Sequence, residues 1–124
     1  MIDKFLGVPF YDGDKGFSGM NCGVFVNSVR SELLGKSPSY FGLISKIDKD
    51  KITQAFHDNK DRFKEGKRNG AVACVFEGDT LVHVGVLLNL DEGWRILHIT
   101  ETHGVRKDKV GVFERFRNVR YFYD

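Results

Sequence analysis

The chain has no apolar run approaching the ~18–20 residues that cross a bilayer, so no membrane span is expected. Its first residues, MIDKFLGVPFYDG, lack the unbroken apolar stretch and small-residue cleavage site of a secretory leader. That predicts synthesis in the cytoplasm without a signal peptide. Cysteine is scarce: two in 124 residues are too few for a disulfide scaffold, and a reducing compartment disfavours a Cys22–Cys74 bridge. Charge of one sign is also missing. The net charge is +2, and Lys and Arg are interspersed with Asp and Glu, which argues against a nucleic-acid surface. There is no internal repeat and no low-complexity segment. Neither a C-x-x-C nor an H-x-x-x-H pair occurs, so neither metal nor cofactor is expected. What is left is an ordinary globular composition, 41% hydrophobic and 29% charged. At this length it predicts a single domain over 1–124 with one real core.

The stretch GFSGMNCGVFVNSVRSELLG, residues 16–35, carries the strongest local signal. Cys22, Phe25, Val26, Val29 and Leu33 recur on one face of a 3.6-residue period, which predicts an amphipathic helix over 22–34. Asn21 is suited to cap its start, and Gly35 to take the left-handed position after its end. Cys22 then falls in the first turn. Unpaired backbone N–H groups and the positive end of the helix dipole favour a thiolate there, and such thiols fall from about 8.5 to roughly 3.5–7.5. The competing reading is a small buried core residue, because cysteine is among the most buried types. A nearby base decides between them.

Residues 1–20 read as a short apolar start and a glycine-interrupted loop, and GKSPSYFGL as a connector. The segment from about 48 to 65 reads as a polar surface helix with Ile52, Phe56 and Phe63 at loose helical spacing; His57 on it is a solvated residue. The second half changes period. AVACVF, LVHVGVLL and WRILHIT are strand-like runs separated by the turn sequences EGDT and NLDEG, which predicts an antiparallel meander. GVRKDKVGVFERF predicts a short strand and a helical turn, and VRYFY a last strand. Helix first and sheet second indicates an α+β fold.

Two histidines fall on this meander. Side chains alternate faces along a strand, so with an even loop between their strands His83 and His98 share a face, as a direct or a diagonal pair. A bulge breaks that argument. Gly85 lies on the same face and leaves room beside the imidazole. A histidine beside a helix-start cysteine, with a second polar group orienting it, is the arrangement of thiol-nucleophile catalysis. If Gly78-Asp79 forms a two-residue loop, Cys74 lies opposite His83, without a helix dipole behind it; it reads as core. A zinc site from Cys22, His83 and His98 is the other reading of these ligands, disfavoured by their spacing.

The series LGVPF, GMNCGVFVNSV, HVGVLL and ILHITETHGV resembles the NlpC-type (NlpC/p-sixty) papain-like cysteine peptidases of bacteria and their phages, from about Leu6 to the final YFYD. The resemblance implies a papain-like α+β fold with the nucleophile helix packed on an antiparallel sheet. It implies Cys22 as nucleophile, His83 as base and His98 as the orienting third residue. The substrate implied is an amide bond in peptidoglycan stem peptides. The implied setting is the cell wall, reached as a phage-tail component or a delivered effector, with tail proteins, a secretion machine or an immunity protein as partners. The chain departs from the pattern at Asn21 and Gly23, which flank the cysteine where Asp and Ser are usual. Phe10 stands where the family often has a tyrosine whose hydroxyl serves the oxyanion, with Tyr11 next to it. Asn21, Phe10, Tyr11, Glu101 and His103 are therefore the oxyanion or substrate-cleft candidates. Trp94 and the C-terminal aromatics read as packing. The alternative is a tail-associated or wall-binding module that keeps the fold and has little or no catalytic activity.

Overall fold

A computed structural model of the protein describes residues 2–36, 49–115 and 117–124. Helix α1 (Cys22–Leu34) begins where the sequence predicts. The Asn21 side chain accepts the Val24 N–H at 3.0 Å, and Gly35 closes the helix at φ 63°. There the Gly35 and Lys36 amides donate back to the carbonyls of Ser31 and Arg30, the usual way of satisfying last-turn carbonyls. Helix α2 (Lys49–Asn59) is followed by a 3-10 turn, Lys60–Arg62, and a two-residue strand β1 (Lys64–Glu65). The helix predicted over about 48 to 65 thus ends earlier, and it is not merely a surface element. Phe56 is buried and meets the rings of Phe76 and Phe122 edge-on at 5.3 and 5.0 Å. Most of the predicted connector lies outside the described residues.

Five more strands follow the expected order: β2 (Val72–Glu77), β3 (Thr80–Leu90), β4 (Gly93–Thr100), β5 (Gly104–Lys109) and β6 (Asn118–Tyr123), with the short helix α3 (Val110–Glu114) between the last two. With β1 they form one six-stranded sheet in the order β1-β6-β2-β3-β4-β5, and each neighbouring pair of strands is antiparallel. The fold is therefore α+β, as read from the order of patterns.

The two faces of the sheet are covered differently. Val72, Cys74, Phe76, Val84, Val86, Leu97 and Ile99 pack with α1 and Phe56 of α2 in the main core. Ala73, Val75, Leu87, Ile96 and Tyr121 pack with Phe113 of α3 on the other face. No helix among the described residues is long and apolar enough to cross a membrane. Trp94, expected to pack, is 42% exposed and lies outside the two core clusters, whereas Tyr121 and Phe122 are buried as expected.

One irregularity matters for the site. Gly78-Asp79 does form the two-residue turn, pairing Glu77 with Thr80, but the register shifts between Val75 and Phe76. Val75 pairs with His83 and Cys74 with Val84, so Cys74 does not lie opposite His83 as a regular hairpin predicts. The bulge inserts one residue into β3. Leu81 and Val84, three positions apart, both pack in the α1 core, with Val82 and His83 side by side between them. Strict alternation fails at the residue the site depends on.

Candidate functional site

His83 and His98 meet. His83 Nε2 lies 2.9 Å from His98 Nδ1, and the rings cross edge-on at 5.1 Å between centroids. The parity reading of these two positions therefore holds despite the bulge. Gly85 permits the approach: a Cβ added there would stand 3.0 Å from His98 Cβ and 2.9 Å from Ile96 Cγ2. The space it leaves is thus beside His98.

His98 is 1% exposed and packs edge-on against Phe113 at 4.8 Å. Its Nε2 lies 2.8 Å from Asp108 Oδ2. Asp108 pairs with Ile96 in the β4–β5 ladder and His98 with Arg106, so the imidazole and the carboxylate are diagonal neighbours on one face. Arg106 donates to the Asp108 carboxylate through Nε and Nη2 at 3.2–3.3 Å. Burial lowers the His98 pKa, and the adjacent Asp108 offsets only part of that. Burial works to raise the Asp108 carboxyl, but the hydrogen bonds from His98 and Arg106 outweigh it and hold it below its usual range. The result is a neutral buried imidazole against an ionised carboxylate at neutral pH. Asp108 was not among the residues singled out from sequence.

His83 opens onto a cleft of about 300 Å³, which Glu77, Val82, Thr100, Glu101 and Arg117 help to line. Glu101 is thus placed beside the histidine pair. His103 sits in the neighbouring turn, where its amide donates to Thr100 Oγ1 and its ring meets Thr102 Oγ1 at 2.8 Å; it is not among the lining residues.

Cys22 is the first residue of the 13-residue helix α1 and is 4% exposed. It belongs to the α1 core with Cys74 and Val84, and a charge on it is felt at Cys74. Val84 pairs with Cys74 and faces the α1 core, whereas His83 pairs with Val75 and lies near Phe113 of α3, so Cys22 and His83 stand at neighbouring positions of β3 but on opposite faces of the sheet. Cys74 is fully buried, and burial pushes its thiol far up. Asn21 is 2% exposed and its side-chain oxygen caps α1. Phe10 bridges to Met20, and the Tyr11 amide donates to the Met20 carbonyl at 3.2 Å, so both run alongside the residues leading into Cys22. The Tyr11 ring is 42% exposed, with Lys15 Nζ 4.1 Å above it.

No protein-family model matches the chain, and no curated protein matches it. Among the described residues no group of three or more His, Cys, Asp or Glu side chains is arranged to hold a metal ion.

Proposed function

We propose that the protein is a papain-like, thiol-dependent amide hydrolase of NlpC type, acting on peptidoglycan stem peptides. The hydrogen bond between His83 Nε2 and His98 Nδ1 carries the reading. It orients one imidazole by another beside a cleft, on the stretch of strand that the helix-start cysteine addresses. In this reading His83 takes the Cys22 proton, and the start of α1 favours the thiolate. The sulfur attacks the amide carbonyl, and the imidazolium protonates the leaving amine. Water, deprotonated by the same imidazole, then hydrolyses the thioester. The reading requires the thiolate and the imidazole to come together at the β3 bulge, where His83 is released from strict alternation. Glu77, Glu101 and Arg117 give the cleft groups of both signs, which suits a peptide carrying free amines and carboxylates.

Burial of Cys22 among apolar side chains favours a second reading, a wall-binding module with little turnover. One experiment separates the two. Purified protein is incubated with peptidoglycan and new amines are counted, beside the rate of Cys22 alkylation by iodoacetamide at neutral pH. The hydrolase reading expects amine release that Cys22→Ala abolishes while the circular dichroism spectrum is kept. Sedimentation with peptidoglycan without amine release, and a Cys22 that alkylates only in denaturant, establishes the binding module instead.

A further inference from the structure

We infer that Asp108 is a positioning residue of this site, fixing through His98 which nitrogen of His83 is the base. The inference rests on the reading of His83 as the proton acceptor given above. An ionised carboxylate can only accept hydrogen bonds. At 2.8 Å from Asp108 Oδ2, His98 Nε2 must therefore carry the proton. A neutral His98 then has a bare Nδ1, which can only accept. The partner at 2.9 Å, His83 Nε2, must donate to it. Both imidazoles are thereby set in the Nε2–H form, and Nδ1 becomes the basic nitrogen of His83.

The geometry makes Asp108 a device for this purpose rather than an incidental neighbour. Its side chain is 14% exposed and held from the other side by Arg106. Phe113 closes over the His98 ring, so the ring has little freedom to turn. The other charged groups acting on His98 are Arg106 and Arg117. Both are cations and cannot receive the Nε2 proton. Without the carboxylate, the His98 proton can move to Nδ1 and donate to His83 Nε2. The His83 proton then sits on Nδ1, and the ring can no longer accept there. In the step concerned the Cys22 S–H bond breaks, its proton passes to His83 Nδ1, and the electron pair stays on sulfur. A base in the wrong tautomer blocks that transfer, and replacing a carboxylate that orients a catalytic imidazole elsewhere costs about 10⁴ in kcat.

Two-bond ¹H–¹⁵N correlation spectra of the imidazoles test this without any turnover. In the wild-type protein at pH 7.5 both His83 and His98 are expected in the Nε2–H form. In Asp108→Asn, His83 is expected to lose that pattern. Cys22 alkylation should slow at least 10-fold, and kcat should fall at least 100-fold with KM little changed; Asp108→Glu should restore part of each. A wild-type His83 protonated on Nδ1 overturns the inference, as does an Asp108→Asn protein that keeps the Nε2–H pattern. The wild-type spectrum decides the matter even where the variant does not fold. The expected tautomers in a protein that releases no amine would uphold the role of Asp108 and refute the hydrolase.

Discussion

Gly85→Ala isolates the contact that lets the two histidines touch. Its backbone is not in the left-handed region, so the substitution carries no intrinsic strain; the cost comes from space alone. The new Cβ would meet Ile96 Cγ2 at 2.9 Å, His98 Cβ at 3.0 Å and the Leu97 carbonyl oxygen at 3.2 Å. Two of these belong to or adjoin the backbone of β4, and the third to a side chain that is fully buried. None is the free end of a flexible chain, so relief requires β3 and β4 to separate. Overpacking of this kind costs about 1–3 kcal/mol. Lower chain entropy of alanine in the unfolded state returns about 0.4–1 kcal/mol. A net loss of about 1–2 kcal/mol is expected, lowering the thermal midpoint by roughly 4 °C or more. The strand shift should also lengthen the 2.9 Å hydrogen bond between the rings. Urea titration at constant m-value and the imidazole ¹H–¹⁵N spectrum read the two effects. An unchanged midpoint with unchanged histidine signals would refute the close approach on which the site is built.

Three other perturbations test separate parts of the structure. Arg30 is wholly buried on α1, donates to the Gly70 carbonyl at 3.1 Å and pairs with Asp124; Arg30→Ala should cost about 3–5 kcal/mol, read as a lower urea midpoint. Because burial lowers the His98 pKa, the folded protein binds fewer protons at His98 than the unfolded chain does. That contribution is full above pH ~6.5 and is lost as pH falls through the folded pKa, with a slope up to ~1.4 kcal/mol per pH unit. Subtracting His98→Gln stability curves from wild type between pH 5 and 7 should reveal it, and parallel curves would count against a neutral buried His98. Burial drives the Cys74 thiol pKa upward, so Cys74→Ala should leave native-state alkylation unchanged, while the Cys74 thiol itself reacts only once the protein is unfolded, as mass spectrometry of the labelled sites can show.

The sequence was most legible where local chemistry and periodicity agree. Helix α1 combines a 3.6-residue apolar pattern with a polar cap and a terminal glycine, and each feature is a short-range property of the chain. The β2–β3 turn and the pairing of His83 with His98 follow from turn composition and the two-residue alternation of strands. Helix α2 is shorter than the composition of its segment suggests, because the polar residues after Asn59 are helix-compatible and only the pairing of Lys64 and Glu65 with β6, distant in sequence, makes a strand of those two. The place of Asp108 is hidden in the sequence for a similar reason. The residue sits in the charged run GVRKDK, which gives no hydrophobic period, and its place opposite Ile96 depends on a β4–β5 turn whose length composition does not reveal. The cue was faint but present: Arg106 and Asp108 alternate with Lys107 and Lys109, so one face of that short strand carries an acid among bases.

The β3 bulge explains why the pairing of the two histidines was readable while their relation to the cysteines was not. A register taken from the Gly78-Asp79 turn alone sets Cys74 across from His83. The inserted residue moves Val84 into that position. It therefore sets Val84, not His83, beside Cys74 and places His83 at a break in the alternation, next to Val82. A bulge of this kind is a single-residue event with no composition of its own, yet it turns His83 from the face that carries Cys74 to the face that carries Val75. Deleting Val82 would make the β2–β3 ladder regular with Phe76 still opposite Leu81 and Val75 still opposite His83, and would leave the β3–β4 register untouched. The hydrogen bond to His98 is thus set by the β3–β4 register and should survive that deletion, read as unchanged imidazole ¹H–¹⁵N signals, whereas the relation of His83 to the cysteines is set by the β2–β3 register.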